Sequence, residues 1–147
     1  MTTVTLERLA VPAISTPAQA PGFVNAGPRL LLRLEGLAML VAAVVGFRAL
    51  GGTWGFFAAA FLVPDLSMLG YLAGAKVGAA AYNAGHSLLG PLVLAGVALL
   101  TGSTLACLCT LTWVAHIGFD RAAGYGLKYA SAFGHTHLGR VGMPGRG

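Results

Sequence analysis

The sequence predicts an all-α integral membrane protein, a four-helix bundle behind a disordered N-terminal tail. Three observations carry that reading. Only 9% of the 147 residues are charged, 56% are hydrophobic, and the mean hydropathy is +0.78. An average soluble domain carries roughly 25% charge, so this chain lacks the polar residues to clothe a water-facing surface. Soluble globular enzymes are thereby excluded, as is chain-wide disorder, which needs low hydrophobicity and high charge. Second, residues 77–119 run without a single Asp, Glu, Lys or Arg. As helix that run is roughly 64 Å long, whereas the hydrocarbon core is about 30 Å thick, so it crosses twice. Third, the 22 glycines have no collagen period. They suit helices that pack backbone to backbone in lipid.

The elements follow in order. Residues 1–29 hold Pro12, Pro17, Pro21 and Pro28 and no long apolar run, which predicts a mobile tail. No basic segment precedes an apolar one there, so the pattern of a signal peptide is lacking. Residues 30–140 form the membrane domain. Its first span is 30–50, closed by the turn signal Gly51-Gly52-Thr53. A second span, 54–72, is interrupted by Pro64-Asp65. Gly74-Ala75-Lys76 leads into the third, 77–100, which Pro91 is expected to kink. Thr101-Gly102-Ser103 separates it from the fourth, 104–123. Residues 141–147 are expected to be a flexible end.

The net charge of +5 does not point to nucleic acid, because the Lys and Arg residues form no basic run. They are better read as topology signals. With four spans, Arg8, Arg29, Lys76, Arg121, Lys128, Arg140 and Arg146 collect on one side and Arg48 on the other. The positive-inside rule makes both termini of the expected multi-pass inner-membrane protein cytoplasmic. Cys107 and Cys109 lie two apart in an apolar stretch and point to different sides of a helix, so they read as small buried residues.

Three of the four acidic residues, Glu35, Asp65 and Asp120, fall within spans, as do His86 and His116. Ionisable groups inside a bilayer are costly and mark functional sites by default. Counted from the cytoplasmic helix ends, the five lie roughly 5–14 Å deep, all in the same half, although four helices supply them. Spacing supports convergence: His116 and Asp120 are i, i+4, Tyr82 and His86 are i, i+4, and Asn83 and His86 are i, i+3. Asp65, His86, His116 and Asp120 are residue types that ligate zinc, manganese or iron. Glu35 is left as a general base for a metal-bound water. Bland readings stand beside these. Glu35 pairs with Arg33 or Arg48, Asp65 caps a helix after Pro64, and the histidines serve as polar glue between helices. His135-Thr136-His137 is a polar tail or a source of further ligands. Arg121, Tyr125, Lys128 and Tyr129 anchor at the headgroups, or Arg121 and Lys128 hold an anionic substrate group.

The segments Phe61-Leu-Val-Pro-Asp65-Leu-Ser, Tyr82-Asn83-Ala-Gly-His86-Ser87 and Ala115-His116-Ile-Gly-Phe-Asp120-Arg121, with Gly124-Tyr-Gly-Leu-Lys-Tyr129, resemble a bacterial family of small four-helix membrane proteins. That family is known as a domain of unknown function. The resemblance covers residues 29–140 and implies a fold and a location, without an activity. Val63-Pro64-Asp65, Gly85-His86-Ser87 and His116-x-x-x-Asp120 are also similar, in order and type, to elements of the LexA-regulated membrane-bound metal-dependent hydrolases. Ser67 stands where those hydrolases have a second acidic residue, and Tyr82-Asn83 where they have His-Arg.

Three functions follow as expectations. The first is a metal-dependent hydrolase-like protein acting on a lipid or amphiphile, with Asp65, His86, His116 and Asp120 as ligands, Glu35 as the acid/base group, and Asn83, Tyr82, Arg121, Tyr125 and Lys128 around the substrate or behind the ligands. The second is a non-enzymatic membrane module, a transporter-like subunit or scaffold, in which the same residues are glue. The third is bis-histidine haem ligation by His86 and His116. The partners expected are the bilayer, a lipid or amphiphilic substrate and a second copy in a homodimer, with no nucleic acid.

Overall fold

The computed structural model describes residues 24, 26–130 and 134–140. Most of the expected N-terminal tail and the flexible end at 141–147 lie outside the described residues. Five α-helices make up the bundle: α1 (Ala26–Ala49), α2 (Trp54–Phe61), α3 (Ala75–His86), α4 (Leu89–Thr101) and α5 (Thr104–Ala123). A 3-10 segment, Pro64–Ala73, continues the line of α2. Two-residue strands β1 (His135–Thr136) and β2 (Gly139–Arg140) close a small antiparallel hairpin. Among the described residues, three stretches are long and apolar enough to cross a membrane: Gly27–Ala49, Trp54–Ala73 and Ala75–Thr101. At ~1.5 Å per residue α5 is also about 30 Å long. It buries the polar side chains of Thr110, Thr112 and His116.

The turns follow the sequence signals. Gly51 takes φ +78°, Gly102 φ +65° and Gly124 φ +97°, left-handed backbone that a glycine enters without steric cost. Thr53 and Ser103 cap α2 and α5, their hydroxyls accepting from the Phe56 and Ala106 amides at 3.4 and 3.2 Å. Each satisfies one of the free amides at a helix start.

Two expected spans are divided. In the second, α2 ends at Phe61 and the chain tightens into ten residues of 3-10 helix from Pro64. Such runs rarely exceed 3–4 residues and often mark a functional hinge. In the third, the break falls at Ser87, whose ψ of 154° is extended. Pro91 then sits in the first turn of α4, where helix amides have no intrahelical partner. A helix continued through Pro91 would drive its ring into the carbonyl four residues earlier, that of Ser87. The proline therefore breaks the span one turn upstream of itself, directly after His86.

Packing is inverted relative to a soluble protein. Leu72, Leu99 and Leu100 are 88%, 83% and 90% exposed, whereas Thr112 and His116 are 0% and 2% exposed. Lipid is the solvent for the outer face. The buried hydroxyls of Thr110 and Thr112 donate to the Ala106 and Leu108 carbonyls, both at 2.8 Å, so neither is left unpaired in the apolar interior. Helices α1 and α5 meet at Gly36 and Gly118. A β-carbon on Gly118 would lie 2.7 Å from both the Gly36 oxygen and the Leu40 nitrogen, so only glycine permits that approach. On α3, Gly78 and Gly85 play the same part toward the 3-10 segment. A β-carbon on Gly85 would fall 2.9 Å from Ser67 Oγ and 3.2 Å from the Pro64 carbonyl oxygen.

Candidate functional site

The interruptions of the helices build the site. Pro64 starts the 3-10 segment and sets Asp65 in its first turn. The break at Ser87 leaves His86 as the last residue of α3. Gly85 lets these two elements close on each other, and α5 lays His116 and Asp120 across them. Trp113 locks the arrangement, its indole N–H donating to the Gly85 carbonyl at 2.6 Å.

Asp65, His86 and His116 converge, each offering one ligand atom within 4.8 Å of the others. The Nε2 atoms of His86 and His116 are 3.1 Å apart, and Asp65 Oδ1 lies 3.5 and 3.6 Å from them. Donors held about 2.0–2.1 Å from a tetrahedral ion are themselves separated by little more than 3 Å, so this triangle has the dimensions of one face of a coordination shell. The cluster can hold a metal ion. Both histidines are buried, at 4% and 2% exposure, while the Asp65 side chain is 42% exposed. His86 Nδ1 lies 2.9 Å from the Tyr82 carbonyl oxygen. A carbonyl only accepts, so Nδ1 carries the proton and Nε2 presents its lone pair to the cluster. His116 Nδ1 is buried without a hydrogen-bond partner among the described residues, and the ring of Phe61 packs edge-on against His116 at 4.9 Å.

Asp120 lies on the far side of His86, its Oδ2 3.5 Å from His86 Nε2 and 4.0 Å from His116 Nε2. It accepts a hydrogen bond from the Tyr82 hydroxyl at 2.9 Å. The Tyr82 ring stacks on His86 with centroids 3.7 Å apart. Beside them is a cavity of about 10 Å³ lined by Tyr82, His86, Asp120, Arg121 and Tyr125, which is about the room one water needs.

The chain after α5 folds back under the cluster. Asn83 clamps it in register: its Nδ2 donates to the Lys128 carbonyl at 2.9 Å and its Oδ1 accepts from the Lys128 amide at 2.7 Å. Lys128 is 6% exposed, with Nζ 4.5 Å from the centre of the Tyr82 ring. Burial pushes its ammonium below lysine's ordinary value, while the Asp120 and Asp65 carboxylates pull the other way. His137 Nδ1 accepts from the Leu127 amide at 2.9 Å, so it is an unprotonated acceptor there. Burial lowers its basicity in the same sense.

The four expected ligands thus come together, with Tyr82, Asn83 and Lys128 directly behind them. Glu35 does not join them. On α1 the buried Gly36 faces α5, and Glu35, turned about 100° from it around the helix, is exposed. Among the described residues it has no ion pair, and Arg33 instead donates to the Ala122 carbonyl at 2.8 Å, while Arg48 bonds to the Gly52 carbonyl. Neither the general base nor the structural ion pair expected at Glu35 is therefore formed. Arg121 reaches Met39 Sδ at 3.9 Å, and Tyr125 is 42% exposed. Haem ligation does not fit, because the two imidazole Nε2 atoms face each other at 3.1 Å and leave no room for a macrocycle between them. Sequence reasoning assigned no site role to Phe61, to Trp113 or to Ser67, whose Oγ is buried without a partner among the described residues. The spacing of Trp113 to His116, i and i+3, was the available signal for Trp113.

A buried histidine and carboxylate cluster inside a bundle that turns its apolar side chains outward defines a small helical membrane protein with a candidate metal centre. The family model described as "Domain of unknown function (DUF4260)" matches residues 29–141, and the chain belongs to that family. No curated protein matches the chain, and no solved structure does.

Proposed function

We propose that the protein is a metal-dependent hydrolase acting on a lipid or amphiphile, with Asp65, His86 and His116 as the ligands of a divalent ion. The observation that carries this reading is the triangle of their donor atoms, with sides of 3.1, 3.5 and 3.6 Å. Three protein ligands with an open position are the pattern of catalytic zinc, and the mixed nitrogen and oxygen set also suits manganese or iron. A bound ion supplies Lewis acidity and lowers the pKa of water. Asp120 takes the part first expected of Glu35. Held by the Tyr82 hydroxyl, and bordering the water-sized cavity, it is the group to accept the proton of an attacking water. Arg121, at the rim of that cavity, suits an anionic headgroup. The positive-inside argument puts the cluster in the inner half of a bacterial inner membrane, within reach of water from the cytoplasm.

The test is metal analysis of protein purified in detergent without chelator, followed by hydrolysis assays on lipid micelles. About one zinc, manganese or iron per chain is expected. His116→Ala and Asp65→Asn should lower metal content at least ~10-fold with the protein still inserted and helical. Asp120→Asn should keep the metal and lose roughly 10²–10⁴ in turnover. Wild-type protein without stoichiometric metal, combined with a fall in thermal stability for all three variants, would instead favour the non-enzymatic module in which these residues are polar glue.

A further inference from the structure

A groove of about 400 Å³ runs alongside the cluster. Ala60, Leu94, Cys109 and Trp113 line it, together with Pro64, Ser67 and Gly85. The last three sit against one another, a β-carbon on Gly85 falling 2.9 Å from Ser67 Oγ and 3.2 Å from the Pro64 carbonyl oxygen. They tie the groove to the site, since Pro64 adjoins Asp65, Gly85 adjoins His86, and Ser67 lies two residues beyond Asp65. The volume falls within the range of small-molecule sites and far exceeds the voids of a close-packed interior. Val63, which also lines it, is 57% exposed, so in a bilayer the groove opens to lipid and not to water. The rest of the lining is mostly apolar. Ser67 Oγ is a buried hydroxyl with no hydrogen-bond partner among the described residues.

We propose that this groove holds one acyl chain of a bilayer phospholipid, with the carbonyl of its ester at Ser67 and the remainder of the chain along Trp113 and Cys109. An apolar slot with a single hydroxyl matches a hydrocarbon chain that carries one carbonyl. Ser67, Pro64 and Gly85 neighbour Asp65 and His86 along the chain, so an ester held at Ser67 lies next to the cluster. This assignment rests on the hydrolase reading for its chemical purpose, but chain binding itself needs neither metal nor turnover.

The full chain is reconstituted in vesicles containing a phosphatidylethanolamine with a diazirine midway along one acyl chain, irradiated, digested and mapped by mass spectrometry. Label should concentrate on Leu94, Cys109 and Trp113, severalfold above Leu72, Leu99 and Leu100, which face lipid without a groove. Cys109→Trp fills the slot from α5 and should reduce that label to the peripheral level with metal content unchanged. If that variant fails to insert, Ala60→Leu fills the slot from α2 and should act in the same way. Label spread evenly over the exposed leucines overturns the proposal. So does label that persists in the filled variants, or that is obtained only with a free diazirine fatty acid. Groove labelling that persists in wild-type protein found to hold no metal would keep the acyl site and remove the hydrolase reading.

Discussion

At the scale of the residue, His86 and His116 face the same point but are held in different ways. His86 is fixed on both sides of its ring, by the Tyr82 carbonyl at Nδ1 and by the stacked Tyr82 ring. His116 is fixed at Nε2 by His86, 3.1 Å away, and by Phe61 against its ring, with no partner at Nδ1 among the described residues. Tyr82 therefore acts twice, through its backbone on a ligand and through its hydroxyl on Asp120. The two actions separate in Tyr82→Phe, which keeps the carbonyl and the ring stack and deletes only the bond to Asp120. Metal content should be unchanged, because the three ligands keep their supports. Turnover on lipid micelles should fall about 10–100-fold, as for other losses of outer support at metal sites. Thermal unfolding in detergent should register a loss of about 0.6 kcal/mol, the mean for a hydrogen bond between membrane helices. Metal lost together with turnover would make Asp120 a ligand and not the proton acceptor.

At the scale of the element, the site depends on where helices stop and on how closely they approach. Asp65 and His86 sit at a helix start and a helix end, and prolines set both positions. The approach of α1 to α5 rests on one glycine pair. Gly118→Ala would push a methyl against the Gly36 oxygen and the Leu40 nitrogen, each 2.7 Å away, and backbone cannot rotate aside as a side chain can. A loss of 1–3 kcal/mol, the usual range for overpacking, is expected in thermal unfolding, with a matching loss of metal from His116 two residues away. An unchanged melting temperature would mean that α1 and α5 meet elsewhere. These same features decide what the sequence discloses. The i, i+4 spacing of His116 and Asp120 and the common depth of the ionisable groups were legible, because rise per residue is fixed along any helix. Glu35 was misplaced because depth does not give rotation: the Gly36–Gly118 contact turns it outward, and that contact is a tertiary fact. The break at Ser87 was legible only as a kink at Pro91, since the proline acts on the carbonyl four residues before it. The parts of Ser67 and Trp113 were only faintly signalled, by an aligned position and by the i, i+3 spacing to His116, because both depend on facing Gly85 on a different element.

At the scale of the whole molecule, the charge distribution and the site point to the same side. Asp65, His86, His116 and Asp120 lie in the half of the bundle that carries the loop Gly74–Lys76 and the segment after α5. The opposite half holds the turns at Gly51–Thr53 and Gly102–Ser103, with Arg48 beside the first of them. Lys76, Arg121, Lys128 and Arg140 all belong to the site's half, and Lys and Arg are retained on the cytoplasmic side during insertion. With the proposed orientation and activity, the site would draw water and protons from the cytoplasm and its substrate from the inner leaflet. Reporter fusions decide the matter. An alkaline phosphatase joined after Gly102 should be active, because that enzyme matures only outside the cytoplasm, whereas the same fusion after Gly147 should be silent. A fluorescent protein that folds only in the cytoplasm should give the reverse pattern. Active phosphatase at Gly147 would turn the molecule over and put the cluster in the outer leaflet. The hydrolase reading would survive that result, because the ligand triangle does not depend on orientation. Its substrate would then come from the outer leaflet, and Arg121 and Lys128 would have to be retained there against the positive-inside bias.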